Sequence, residues 1–135
     1  MKTDQFYALE TQTMPWEERF NERLQRAILR KSLFHDSRTG VEIRLVRYPA
    51  GLVNPWHTHP CGHGIYVLEG MLATQQGTFG PGSFTWFPEG EPMQHGASPD
   101  ADVTVLFVTD KHFRIDYLDG QDISPPSGRE SAKQE

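Results

Sequence analysis

Gly51-Leu52-Val53-Asn54-Pro55-Trp56-His57-Thr58-His59-Pro60-Cys61-Gly62-His63, continuing as Gly64-Ile65-Tyr66-Val67-Leu68-Glu69-Gly70, sets three histidines close together and then runs into an apolar segment closed by glycine. His57 and His59 are two apart, so on an extended strand both rings point to one face and reach a common ion. Pro60-Cys61-Gly62 is a turn that folds the chain back and presents His63 to the same point. Three imidazoles converging in apolar surroundings are costly to desolvate without a cation to take their lone pairs, and protonating them together makes them repel. A metal removes both penalties. His35 and His112 stand alone and read as hydrogen-bonded or surface histidines with no ligand role.

Outward from this stretch, 12 glycines and 10 prolines punctuate short runs rich in Val, Ile, Thr, Phe, Tyr and Trp, which predicts a mostly β chain. Strands are expected at Gly64 to Leu68, Leu72 to Gln75, Phe84 to Phe87, Val103 to Val108 and Phe113 to Tyr117. An alternating strand, Val41, Ile43, Leu45, follows the turn-forming cluster Asp36-Ser37-Arg38-Thr39-Gly40. Regular spacing without helical crossovers argues for an antiparallel sandwich or barrel. One segment differs: over Pro15 to Arg30, Trp16, Phe20, Leu24 and Ile28 recur every four residues behind a proline and two glutamates. This predicts a short N-terminal helix that frays into a strand after Leu24. From Gly120 the sequence is polar, with Pro125-Pro126 and no aromatic residue, and is expected to be disordered. The expected organisation is an N-terminal arm with a helix over 1–25, a barrel over 26–119 and a tail over 120–135.

Composition bounds the function. At 135 residues the chain is one domain, with 36% hydrophobic, 11% aromatic and 23% charged residues, enough to close a single core. Thirteen basic residues against 18 acidic ones give a net charge of −5 and no basic stripe, so nucleic acid is not an expected partner. The longest apolar or Thr run, Val103 to Val108, is far short of the roughly 20 residues that cross a bilayer, so no membrane is expected. Met1 to Gln12 is too polar for a signal peptide, and the one cysteine, Cys61, forms no internal disulfide; both point to the cytoplasm.

The quoted stretch resembles the first cupin motif: Gly51, five residues, His57-Thr58-His59, a third ligand position at His63 and a closing Gly70. The family usually has Glu where this chain has His63, so the match is to histidine-substituted small cupins. The second cupin motif resembles Gly82, five residues, Pro88-Glu89-Gly90 and His95, with four residues rather than two before the histidine and Pro99 where Asn is usual. The resemblance implies a double-stranded β-helix, the cupin jelly-roll barrel, and a four-histidine metal site of His57, His59, His63 and His95. Asp36-x-x-Thr39-Gly40, the short Gln76 to Phe84 segment and the late Pro-x-Gly are similar to the branch holding acetylacetone dioxygenase and the cupin domains of anti-sigma factors. One of those relatives activates oxygen at a non-haem iron and the other is a regulator that holds zinc, so the branch alone does not choose a function.

The expected cofactor is one divalent ion per chain, with Fe(II) favoured and Mn, Ni, Zn or Cu as alternatives, since imidazole suits several of them. Four neutral imidazoles leave the ion's charge uncompensated, so the site favours anionic ligands. Trp56, Tyr66, Trp86, Phe87, Met93 and Phe107 are the candidate lining of a substrate pocket, though strand alternation sends about half of them outward. Glu69, just before Gly70, and Cys61, in its turn, are left out of the ligand set, with Cys61 kept as an oxidation site. The nearby acids Glu89, Glu91 and Asp100 fall in turns and supply no general base. The leading expectation is therefore a dioxygenase-type oxygenase acting on a small enolisable or catechol-like molecule. The alternatives are a non-catalytic metal or ligand sensor, and a redox-neutral isomerase or sugar-acid-modifying cupin. The apolar stripe Trp16, Phe20, Leu24 is expected to pack on the barrel or on a second copy in a homodimer.

Overall fold

The β-branched and aromatic runs form antiparallel strands throughout the computed structural model, which describes residues 3–118. In chain order these are β1 (Glu17–Asn21), β2 (Arg26–His35), β3 (Glu42–Tyr48), β4 (Val53–Thr58), β5 (His63–Glu69), β6 (Leu72–Thr74), β7 (Gly77–Phe79), β8 (Phe84–Phe87), β9 (Met93–Ala97), β10 (Val103–Thr109) and β11 (Asp116–Tyr117). One sheet has the order β1-β2-β3-β10-β5-β8 and the other β11-β4-β9-β6-β7. Val46, Tyr48, Ile65, Val67, Phe87, Val103, Val105 and Phe107 from the first sheet form one buried cluster with Leu72, Met93 and Ala97 from the second. The two sheets thus close on a single core, as expected of a mostly β chain. The tail expected over 120–135 lies outside the described residues.

The N-terminal helix expected over Pro15 to Arg30 is not present; no helix occurs among the described residues. The segment is a hairpin instead, with Glu17 opposite Arg30 and Asn21 opposite Arg26. Asn21 explains the reversal. Its carbonyl accepts from the Gln25 amide at 2.7 Å and its side-chain oxygen from the Leu24 amide at 3.0 Å, closing a turn in which Gln25 takes a left-handed φ of 55°. A short polar side chain that bonds its own backbone competes with helical pairing. The four-residue apolar spacing survives with a different meaning: Phe20 is 58% exposed, while Leu24 and Ile28 pack against the core.

Strand β3 carries a second departure. Its buried side chains are Arg44, Val46 and Tyr48, and the alternating apolar set Val41, Ile43 and Leu45 is only half-buried. Their face is apolar because the N-terminal arm follows it. Lys31, the register partner of Leu45, donates to the Thr11 carbonyl at 2.6 Å and lies 4.5 Å over the Trp16 ring, and the Tyr7 hydroxyl donates to the Leu33 carbonyl at 2.6 Å. The expected strand over Phe113 to Tyr117 is reduced to two residues, which pair with His57 and Thr58.

Candidate metal centre

Three strands and a turn deliver the histidines. His57 stands near the end of β4, His59 just beyond it, His63 opens β5 after the Pro60 to Gly62 turn, and His95 is central in β9. Register brings the two sequence clusters together, because β4 pairs with β9 so that Asn54 faces His95 and His57 faces Met93. Gly96 permits this approach: a Cβ there would run into the Leu52 carbonyl oxygen and the Val53 Cα. All four imidazoles are at most 1% exposed.

The rings face one another. Centroids of His57 and His59 are 4.7 Å apart, His57 and His95 5.0 Å, His59 and His63 4.7 Å, and His63 and His95 5.5 Å. Ligand atoms of His57, His59 and His95 lie within 4.8 Å of one another, a group able to hold a metal ion; His63 adjoins that group without belonging to it at this spacing.

Hydrogen bonds on the far side of the rings decide which nitrogen is free. His57 Nδ1 is 2.6 Å from the Pro55 carbonyl and His59 Nδ1 2.7 Å from the Arg114 carbonyl, so each Nδ1 carries the proton and each Nε2 keeps a lone pair. His95 Nδ1 is 3.4 Å from the Tyr48 hydroxyl. The Nε2 atoms of all four rings, and His63 Nδ1 as well, are buried without a partner. Unpartnered buried nitrogens are rare and costly, and here they converge, which is the fit a divalent ion requires. Burial holds all four in the neutral, ligating form. It pushes His59 down to about 4, against the Arg114 carbonyl bond that favours the charge; it pushes His63 to about 2, with His59 and His57 adding repulsion. His57 is lowered and His95 well lowered by the same cause. Phe87 and Phe107 stack on the His63 ring at 4.7 and 4.9 Å and seal that side from water.

A cavity of about 170 Å³ opens onto His59 and His95. Its wall is mostly apolar, with Phe20, Ile28, Val46, Phe107, Phe113 and Ile115, and its polar members include Arg44, Tyr48 and Asn54. Arg44 is only 6% exposed, its guanidinium 4.7 Å from the Phe107 centroid and 4.5 Å from that of Phe113. Burial works against its charge, and Glu42, which accepts from Nη1 at 2.8 Å, works for it. Arg19 and Arg30 at the rim share Glu17.

Of the six expected pocket residues, Phe107 lines this cavity. Phe87 and Met93 are buried, Phe87 behind His63 and Met93 in the core, and half-buried Trp56 is not in the wall. Tyr66 and Trp86 alternate to the outer face, 42% and 51% exposed. Cys61 is fully buried, outside the three-histidine group, with its thiol pushed up to about 11 by burial and by Asp110. Glu69, Glu89, Glu91 and Asp100 are exposed. Arg44 and Phe113 were missed by the sequence reading. The available signal was the alternation Arg44, Val46, Tyr48, whose inward parity becomes evident only once the arm is seen to cover the other face.

Residues 4–114 match the model of the ChrR cupin-like domain. Over 71 residues the chain is 34% identical to the (R)-mandelonitrile lyase of Granulicella tundricola, covering 49% of this chain and 54% of the lyase, so the chain spans about half the length of that curated relative. A candidate acetylacetone dioxygenase from Methylibium petroleiphilum superposes with a TM-score of 0.73 at 14% identity, over 93% of this chain and 88% of that one. The anti-sigma ChrR of Rhodobacter sphaeroides, in complex with SigE, superposes with a TM-score of 0.58 at 22% identity, over 76% and 52%. These structural likenesses show the cupin-like fold.

Proposed function

The chain belongs to the ChrR cupin-like domain family, and from that premise we propose that it is a metal-dependent oxygenase of dioxygenase type acting on a small enolisable or catechol-like molecule. One observation carries the reading: four buried imidazoles with unpartnered Nε2 atoms cluster together, and two of them, His59 and His95, line an open cavity. A purely structural ion needs no such access, whereas a substrate does. His57, His59, His63 and His95 would hold the ion, one per chain, with Fe(II) favoured over Mn, Ni, Zn or Cu. Such an ion supplies Lewis acidity toward a bound oxyanion and access to dioxygen chemistry. The protein's part is orientation and exclusion. The Pro55 and Arg114 carbonyls fix two ring tautomers, the Phe87 and Phe107 rings keep water from His63, and Phe107, Phe113 and Ile28 pack the body of the substrate.

The test is oxygen uptake by iron-reconstituted protein offered a panel of diketones, catechols and flavonols. Bound iron with no uptake above background across the panel counts against the oxygenase. The likeness to (R)-mandelonitrile lyase favours a second, redox-neutral reading, which turnover under nitrogen would select. Ligand binding without turnover would select a sensor, the reading suggested by the likeness to ChrR.

The working unit we infer is a homodimer in the cytoplasm. Tyr66, Leu68, Phe84 and Trp86 are 42%, 45%, 62% and 51% exposed on β5 and the edge strand β8, an apolar patch suited to a second copy. The cytoplasm is inferred from the single cysteine.

A further inference from the structure

Arg44 is a buried cation with unused hydrogen-bonding capacity. Among the described residues its guanidinium makes one hydrogen bond, Nη1 to Glu42, which leaves Nε and Nη2 uncommitted. Two phenylalanine rings hold the group in place, and each also touches the histidine cluster. Phe113 lies 4.5 Å from the guanidinium and 4.7 Å from the His59 ring, and Phe107 lies 4.7 Å from the guanidinium and 4.9 Å from the His63 ring. The guanidinium is therefore one aromatic ring away from His59 and from His63, and Arg44, His59 and His95 share the wall of one cavity. A buried arginine with a single carboxylate partner adds little stability by itself, because the desolvation of the charges offsets what the pair gains. Its planar fork matches a carboxylate in two-point fashion.

We propose that Arg44 is the anion anchor of the cavity, and that the molecule bound there is a small carboxylate with an aromatic or branched apolar body, its carboxylate on Arg44 and its other polar end at His59 and His95. This deepens, and rests on, the reading of the cavity as the substrate site of the metal centre. The volume sets the size. A dry cavity of about 150 Å³ accepts benzene, so about 170 Å³ takes one ring with a short substituent. The charges set the sign: at the cavity Arg19, Arg30 and Arg44 are matched by two carboxylates, Glu17 and Glu42, leaving net positive potential before any ion is added.

Phenylacetate and its neutral isostere phenylacetamide are the probes, titrated calorimetrically into the full chain loaded with Zn(II), which needs no protection from oxygen, and into the chelator-treated chain, with metal content measured alongside. The wild type is expected to prefer the carboxylate at least tenfold. Arg44→Met should abolish that preference while leaving amide affinity and metal content unchanged, and Arg44→Lys should restore part of it. Because Arg44→Met strands Glu42, the double variant Glu42→Gln with Arg44→Met keeps the pair neutral and reports the same loss if folding of the single variant suffers. Equal binding of the two probes by folded wild type, or a carboxylate preference that survives both variants, overturns the proposal. A wild type that takes up no metal yet shows the Arg44-dependent preference sinks the metal-centre reading and leaves the anchor standing.

Discussion

Removing the ion and lowering the pH should destabilise this protein in a calculable way. In the unfolded chain each histidine titrates near its ordinary 6.5, whereas in the fold burial holds His59 near 4, His63 near 2 and His95 well below 6.5. Between the two values the unfolded state binds more protons, so stability is complete above 6.5 and falls as pH drops through 6.5 toward 4. One pKa unit is about 1.4 kcal/mol, so at pH 5.5 His59 and His63 together withdraw roughly 3 kcal/mol, and His57 and His95 act in the same direction. Domains of this size hold about 5–15 kcal/mol in all. Urea unfolding of chelator-treated protein, followed by tryptophan fluorescence at pH 7.5 and 5.5, measures the loss directly. An ion bound to the neutral rings should move the acid transition lower. A difference of less than about 1 kcal/mol between the two pH values in the metal-free protein would refute the reasoning.

Three further outcomes are expected. Alanine at His57, His59 or His95 should lower divalent-ion affinity by more than 100-fold in a competition titration, and His63→Ala by at least tenfold, against no change for His112→Ala; losses of this order follow when a metal ligand or its support is removed. Gly96→Ala should cost about 3 kcal/mol in urea unfolding and weaken ion binding with it, because the new methyl meets the Leu52 carbonyl beside His95. Phe84→Ser with Trp86→Ser should convert a dimer to a monomer in light scattering while leaving metal content intact, since both side chains are exposed on the face of β8 opposite the buried Phe87.

The parts of the fold that could be read from the sequence are those set by local chemistry. Glycine, proline and β-branched residues mark where β5, β8 and β10 begin and end, because turn geometry and strand packing are decided within a few residues. Convergence of His57 and His59 also followed from the strand period alone. The N-terminal hairpin was not legible, because a four-residue apolar spacing fits either a helix or a folded-back pair, and the choice rested on Asn21 closing a turn and on a sheet edge available to β1. Tyr66, Trp86 and Arg44 were hidden for a related reason. Alternation says that neighbours differ in facing, but which parity is inside depends on what covers the outer face. Here the arm covers β2, so Ile43 and Leu45 can be apolar without entering the core, and Arg44 is left to face the cavity.

The histidines belong to both sheets: His57 and His95 stand on β4 and β9 of one, and His63 begins β5 of the other. An ion gripped by all of them is a rivet through the sandwich, and free ion at 100 times its dissociation constant would add about 2.7 kcal/mol to the whole fold. In a metal-starved cell the amount of intact protein would then follow the supply.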